Sequence, residues 1–306
     1  MSNERELSVS VILGRVSTED GDRVLETIAA LQPDVAGGPC EIVIADRIQD
    51  AVSDRIARDY PQVRLIPCAS DTTLPEMRTR AYETSTGEIV AVTEDHCVPG
   101  TGWIAKVKRA FADGSPSLSA VGGSVVNGVT DTGLDWATFL CEYSFFSPPV
   151  VEGRTDILPG MNVAYLRSVL DAAPRERLTK GFWETTLHPE LLAVGCEFCS
   201  LNELTMFHKK RFSWRLFTTQ RFIYSRYYAG TRFRVAGPAK RVAVGAASLL
   251  LPPILLWRMV KAVRAKGLGR ELRGALPWLA MLVVVWAVGE SVGALLGPGD
   301  ALAQIE

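Results

Sequence analysis

Apolar positions along the first 120 residues alternate between two periods. Short β-branched runs at Leu7–Leu13 (LSVSVIL), Cys40–Asp46 (CEIVIAD), Val63–Cys68 (VRLIPC) and Glu88–Asp95 (EIVAVTED) read as strands. Between the first two, Gly21–Gln32 sets Val24, Leu25, Ile28 and Leu31 at helical spacing, with Asp20 or Asp22 as N-cap. Ala51–Tyr60 and Pro75–Gly87 also read as helical, the latter stopped by Gly87. Strands alternating with helices predict a parallel sheet with both faces covered. Ligands of such sheets bind beyond the carboxyl ends of the strands, which singles out Asp46 and Asp95.

The pattern then changes. Leu158–Leu170 predicts a turn, a short strand and a helix start, and Gly181–Gly195 a helix with Leu187, Leu191 and Val194 on one stripe. Two apolar runs follow, Val242–Trp257 and Leu276–Leu296. The second is long enough to cross a bilayer, which takes roughly 20 apolar residues, and holds one acid, Glu290. The first is broken by Pro252-Pro253, so the pair reads either as a two-span hairpin or as a re-entrant dip before a single span.

Charge sharpens this. The net charge of -1 over 306 residues gives nucleic-acid binding no support, and none is expected. Yet Lys209 to Arg241 carries ten Lys and Arg and no acid, interleaved with Phe, Tyr and Trp. That mixture suits a membrane interface, where snorkelling Arg and amphipathic aromatics are at home. Arg258, Lys261, Arg264, Lys266, Arg270 and Arg273, against Glu271 alone, separate the apolar runs. The N-terminus MSNERELSVSVIL lacks a signal-type apolar region, so the large domain is expected on the cytosolic side of the cell membrane. The resulting division is a domain over 1–215, a basic aromatic segment over 216–241 and a membrane-associated hairpin over 242–306. Cys196 and Cys199 form a lone CxxC without a second pair, read as buried thiols rather than as a zinc site.

Candidate chemistry concentrates in TEDHCVP. Adjacent carboxylates at Glu94 and Asp95 repel unless a cation lies beside them; capping of the turn near Pro99-Gly100 is the structural alternative. In an extended stretch His96 would point away from Asp95, which makes His208, in MFHKKRF, the preferred histidine ligand.

Five stretches, in this order, resemble the family 2 glycosyltransferases over roughly Leu7 to Gly230: EIVIAD with Asp50 four residues on, RTRAYETSTG, TEDHCVP, LPGMNVAYLRS and FWETTLHPELLAVG. The resemblance implies an α/β GT-A nucleotide-sugar-binding fold: a mixed, mainly parallel sheet with helices on both faces, here followed by C-terminal transmembrane or re-entrant helices. It implies a metal-dependent inverting hexosyltransferase, using Mg²⁺ or Mn²⁺ to stabilise the leaving diphosphate of a nucleotide-sugar donor. Asp95 would then ligate the metal with His208 as a further ligand, and Glu94 would lie beside the ribose or the metal's outer shell. Asp46 would accept from the base edge, Arg78 would pair with the diphosphate, and Arg15 or Arg47 would add phosphate contacts. Glu184 would be the base that takes the acceptor proton, with Trp183 beside it as a sugar face or as core. The membrane-directed tail points to a lipid-linked or other cell-envelope glycan as acceptor.

The sequence departs from the family's pattern at the base-contacting places, reading Leu13-Gly14-Arg15-Val16 and Ala45-Asp46-Arg47-Ile48. Two alternatives follow. A nucleotidyltransferase-like enzyme would want a Gly-rich, Lys-bearing loop after the first strand, and LGRVSTEDG is a poor one. An inactive membrane scaffold would tolerate these departures.

Overall fold

In the computed structural model, which describes residues 6–306, the predicted parallel strands are present as β1 (Val9–Arg15), β2 (Cys40–Asp46), β3 (Arg64–Pro67) and β4 (Ile89–Val92). Met1–Arg5, part of the polar N-terminal stretch, lies outside the described residues. Five further strands complete one sheet: β5 (Cys97–Pro99), β6 (Leu118–Asn127), β7 (Gly153–Thr155), β8 (Val163–Leu166) and β9 (Glu197–His208). The order is β3-β2-β1-β4-β8-β6-β9-β5, with β7 paired to β9. The sheet is parallel from β3 to β4 and mixed beyond, where β8 runs antiparallel to both β4 and β6.

The parallel half was legible because β1 and β4 are buried along their whole length and β2 from Ile42 onward, so each reads as a continuous apolar run. Of the helices between them, Val24–Gly37 starts without a side-chain cap and the next two are capped by side chains. Asp50 and Ser53 form a capping box for Ala51–Asp59, and Thr73 accepts from the Glu76 N–H at the start of Leu74–Thr84. Gly87 is required at the entry to β4, because a Cβ there would lie 2.5 Å from the Ser10 backbone nitrogen.

One strand boundary differs from expectation. β4 stops at Val92, and the Cys97 N–H donates to the Glu94 carbonyl at 3.1 Å, closing a turn over Glu94–Cys97. Crowded polar residues beyond Val92 do better in this turn than in a central strand, and the strict alternation of side chains is lost there.

The chain divides into two units. One runs to Gly128 and resumes over Pro148–Lys210, and it contains the sheet. The other comprises Val129–Ser147 and Arg211–Glu306 and is helical, with helices Gly133–Tyr143, Trp214–Arg232, Pro238–Ser248, Leu251–Ala265 and Gly269–Leu296. Gly269–Leu296 is long and apolar enough to cross a membrane by length and composition, and Pro238–Ser248 with Leu251–Ala265 passes the same test only as a pair bent by 53°. The bend falls at Leu249-Leu250, not at Pro252-Pro253. The prolines instead occupy the first turn of Leu251–Ala265, where an N–H has no helical partner to lose.

Candidate active site

β1 and β4 are parallel neighbours, so the chain leaves both at the same sheet edge. There Asp95, buried, gathers the exit of β1. Its Oδ2 accepts the backbone N–H groups of Val16 and Ser17, each at 2.8 Å, and its Oδ1 accepts the Ser17 hydroxyl at 2.7 Å and faces His96 Nδ1 at 2.8 Å. Four partners use up the lone pairs of a carboxylate. Burial would raise the Asp95 pKa, but the His96 hydrogen bond and charge, with Lys210 and Ser17, push it well below the usual range.

The turn at Glu94–Cys97 swings His96 to the side opposite to that expected from an extended chain. His96 Nε2 lies 3.3 Å from Glu94 Oε2 and 3.1 Å from His208 Nε2. His208 comes from the end of β9, 112 residues away, because β5 pairs antiparallel with β9 and sets Cys97 opposite His208. Glu94, His96, Cys97 and His208 thus offer ligand atoms within 4.8 Å of one another.

The electrostatics of these groups favour positive charge at this point, which His96 supplies. Burial opposes charge on Glu94, yet His96 and Arg78 outweigh it and hold its carboxyl down to about 2. Burial and the neighbouring His96 drive the His208 pKa well below its ordinary value, so it stays neutral, the form that binds metals. Burial and the two carboxylates raise the Cys97 thiol well above its ordinary value, which keeps it protonated and a poor ligand. Burial opposes charge on His96, but Asp95 and Glu94 raise its pKa above the ordinary value, so a bound metal would have to displace its proton. With that proton gone, two imidazoles and a carboxylate remain, a donor set better matched to Mn²⁺ or a later transition metal than to Mg²⁺. Asp95 orients His96 Nδ1 as a carboxylate typically does behind a ligating histidine.

Arg78 is 2% exposed and reaches two ways, donating to Glu94 Oε1 and to the Phe182 carbonyl, both at 3.2 Å. Its Nε has no hydrogen-bonding partner. Two residues beyond Phe182, Glu184 begins the helix Glu184–Ala193 and lies over Gly160, where a Cβ would collide with its carboxylate. Trp183 is buried at the cap position before it. The side chain of Asn162, from the same LPGMN stretch, is spent internally: it donates to the Ser124 and Leu204 carbonyls and accepts from Trp103.

The end of β2 is closed differently. Asp46 accepts the Ile48 and Gln49 N–H groups and the Ser53 hydroxyl, and pairs with Arg15 at 3.4 Å. Arg15, fully buried, also reaches Asp50 at 2.9 Å and Ser53 at 2.8 Å. Sequence reasoning named Asp46 and Arg15 separately and did not pair them. It also missed Ser17 and buried Lys210, which donates to Ser17 Oγ at 3.2 Å; the run of polar residues after β1 and the lysine two places beyond His208 were the available signals.

No family model and no curated protein sequence matches this chain. Solved structures do. A mannosyltransferase from Pyrobaculum calidifontis, in complex with GDP-Man and Mn²⁺, is similar at a TM-score of 0.56 and 16% identity, over 94% of this chain and 88% of that one. S. aureus TarS 1-349 aligns at 0.50 and 13% over 94% and 90%. GalNAc-T7 with UDP, GalNAc and Mn²⁺ aligns at 0.50 and 13% over 69% of this chain and 44% of its own. The chain has the GT-A glycosyltransferase fold.

Proposed function

We propose that this protein is a membrane-associated, metal-dependent inverting glycosyltransferase that transfers a sugar from a nucleotide-sugar donor to a hydroxyl of a lipid-linked or other cell-envelope glycan, working on the cytosolic side. The observation that carries the reading is the convergence of Glu94, His96 and His208 at the strand ends, with Asp95 behind His96. Mn²⁺ in two solved structures of the same fold supports that metal. Glu94, His96 and His208 would hold it, and the bound cation would neutralise charge on the leaving diphosphate.

The remaining work falls to the chain. Arg78 ties Glu94 to the Phe182 carbonyl and so keeps the metal-side carboxylate and the Glu184 segment in register. Glu184 takes the proton of the acceptor hydroxyl as that oxygen bonds to the anomeric carbon from the face opposite the diphosphate. The anomeric bond to the diphosphate breaks, its electron pair leaves with the nucleoside diphosphate, and Glu184 keeps the proton. Asp46 and the two terminal nitrogens of Arg15 are committed to each other, to Asp50 and to Ser53, only Arg15 Nε of this group being without a partner among the described residues, so we assign them to holding the strand ends rather than to donor contact. The metal role first expected of Asp95 passes to Glu94 and His96.

The test is donor turnover with a panel of nucleotide sugars. Release of nucleoside diphosphate that requires Mn²⁺ supports the reading. Release of pyrophosphate instead would make the protein a nucleotidyltransferase, and turnover unchanged by chelation would remove the metal.

A further inference from the structure

The helix Gly269–Leu296 has the length of a bilayer span, about 42 Å at 1.5 Å per residue. Its neighbours in the helical unit do not suit a bilayer. At Gly289 a Cβ would lie 2.6 Å from the Phe222 carbonyl, and at Gly293 it would collide with the Arg226 carbonyl. Near the other end, the Gly274 carbonyl occupies the place where Gly133 would carry a Cβ. One side of the helix is thus sealed along most of its length by Trp214–Arg232 and Gly133–Tyr143.

Those two helices carry Arg215, Gln220, Arg221, Arg226, Arg232, Asp135 and Glu142. Arg221 is buried at this seam, paired with Glu142 at 2.5 Å and lying 4.1 Å over the Trp286 ring, midway along the would-be span. Crossing the bilayer would drag these charges into hydrocarbon with the helix.

The free side of the helix tells the complementary story. Pro277, Met281, Val284, Val288 and Leu295 are exposed at helical spacing, and the same stripe begins with exposed Arg270 and Arg273. On Leu251–Ala265 the exposed stripe runs from Leu250 through Ile254 and Trp257 to Lys261 and Arg264. Two apolar stripes therefore leave a shared basic junction. The only acid between Lys261 and Gly289 is Glu271, which is half-buried.

We infer that Gly269–Leu296 does not cross the membrane. It lies in the plane of one leaflet, with its free apolar stripe in the acyl boundary and Lys261, Arg264, Arg270 and Arg273 against anionic phospholipid headgroups. The inference deepens the membrane association proposed above and is independent of the catalytic assignment.

The experiment uses the full chain with vesicles of phosphatidylcholine alone or with phosphatidylglycerol. Binding should require the anionic lipid and weaken with salt. Combining Lys261→Glu, Arg264→Glu, Arg270→Glu and Arg273→Glu should lower partitioning by roughly tenfold or more. A fluorescent amino acid placed in turn at Met281, Val288 and Leu295 should be quenched by brominated lipids at one shallow depth. A depth profile that passes through the bilayer centre, with Leu295 emerging on the far side, overturns the inference in favour of a span. Vesicle binding absent from a chain that is dimeric by light scattering overturns it in favour of a second copy as the occupant. Mn²⁺-dependent donor turnover in detergent-free solution reads the catalytic proposal separately.

Discussion

The ends of β2 and β4 lie one strand apart, and both gather acids, yet they are built to opposite purposes. At β2, Asp46 and Arg15 satisfy each other with help from Asp50, Ser53 and two backbone N–H groups. At β4, Asp95 is saturated as well, but the groups in front of it converge on one point: His96 Nε2 lies within reach of both His208 Nε2 and Glu94 Oε2. A saturated network fixes backbone. Ligand atoms from three side chains gathered at one point are what a cation needs.

The comparison can be broken at several points. The largest effect is expected at Glu184. Glu184→Gln should lower turnover by about 10²–10⁴-fold while donor binding measured by calorimetry stays near wild type. Turnover near wild type would send the search for the base elsewhere.

Next comes the β2 end. Arg15→Met leaves Asp46 buried without its cation, at an expected cost of about 3–5 kcal/mol in urea unfolding. His208→Ala, at the β4 end, should cost less than that in unfolding without metal, and lose the rise in Tm that Mn²⁺ gives. The reverse outcome would exchange the roles of the two ends.

A third effect tests a buried histidine that the site does not use. His188 accepts from or donates to Tyr165 at 2.7 Å inside the core, and burial holds its pKa down to about 4. The unfolded chain takes up a proton near 6.5 while the folded chain does not, so stability should fall by up to about 3 kcal/mol as pH drops from 6.5 to 4, and level off below. His188→Gln, which keeps a partner for Tyr165, should flatten that slope in chemical unfolding.

The smallest expected change sharpens the assignment of Asp95. Asp95→Asn should weaken Mn²⁺ binding by about 10–100-fold, the usual effect of loosening a ligand's orienting partner. Complete loss of metal in a folded chain would return Asp95 to the coordination sphere.

The local order of strands and helices up to Val92, the acids at the strand ends and the apolar length of Gly269–Leu296 were all present in the sequence. They depend on periodicity and composition, which neighbours in the chain already determine. The turn at Glu94–Cys97, the meeting of His96 with His208, the pairing of Arg15 with Asp46 and the sealing of Gly269–Leu296 against Arg221 were not. Each joins residues brought together by sheet order or helix packing, up to 112 positions apart. Sequence alone thus determined which groups were available. Only the tertiary structure decided which of them are consumed by one another, because the satisfaction of a buried polar atom depends on neighbours in space and not on neighbours in the chain.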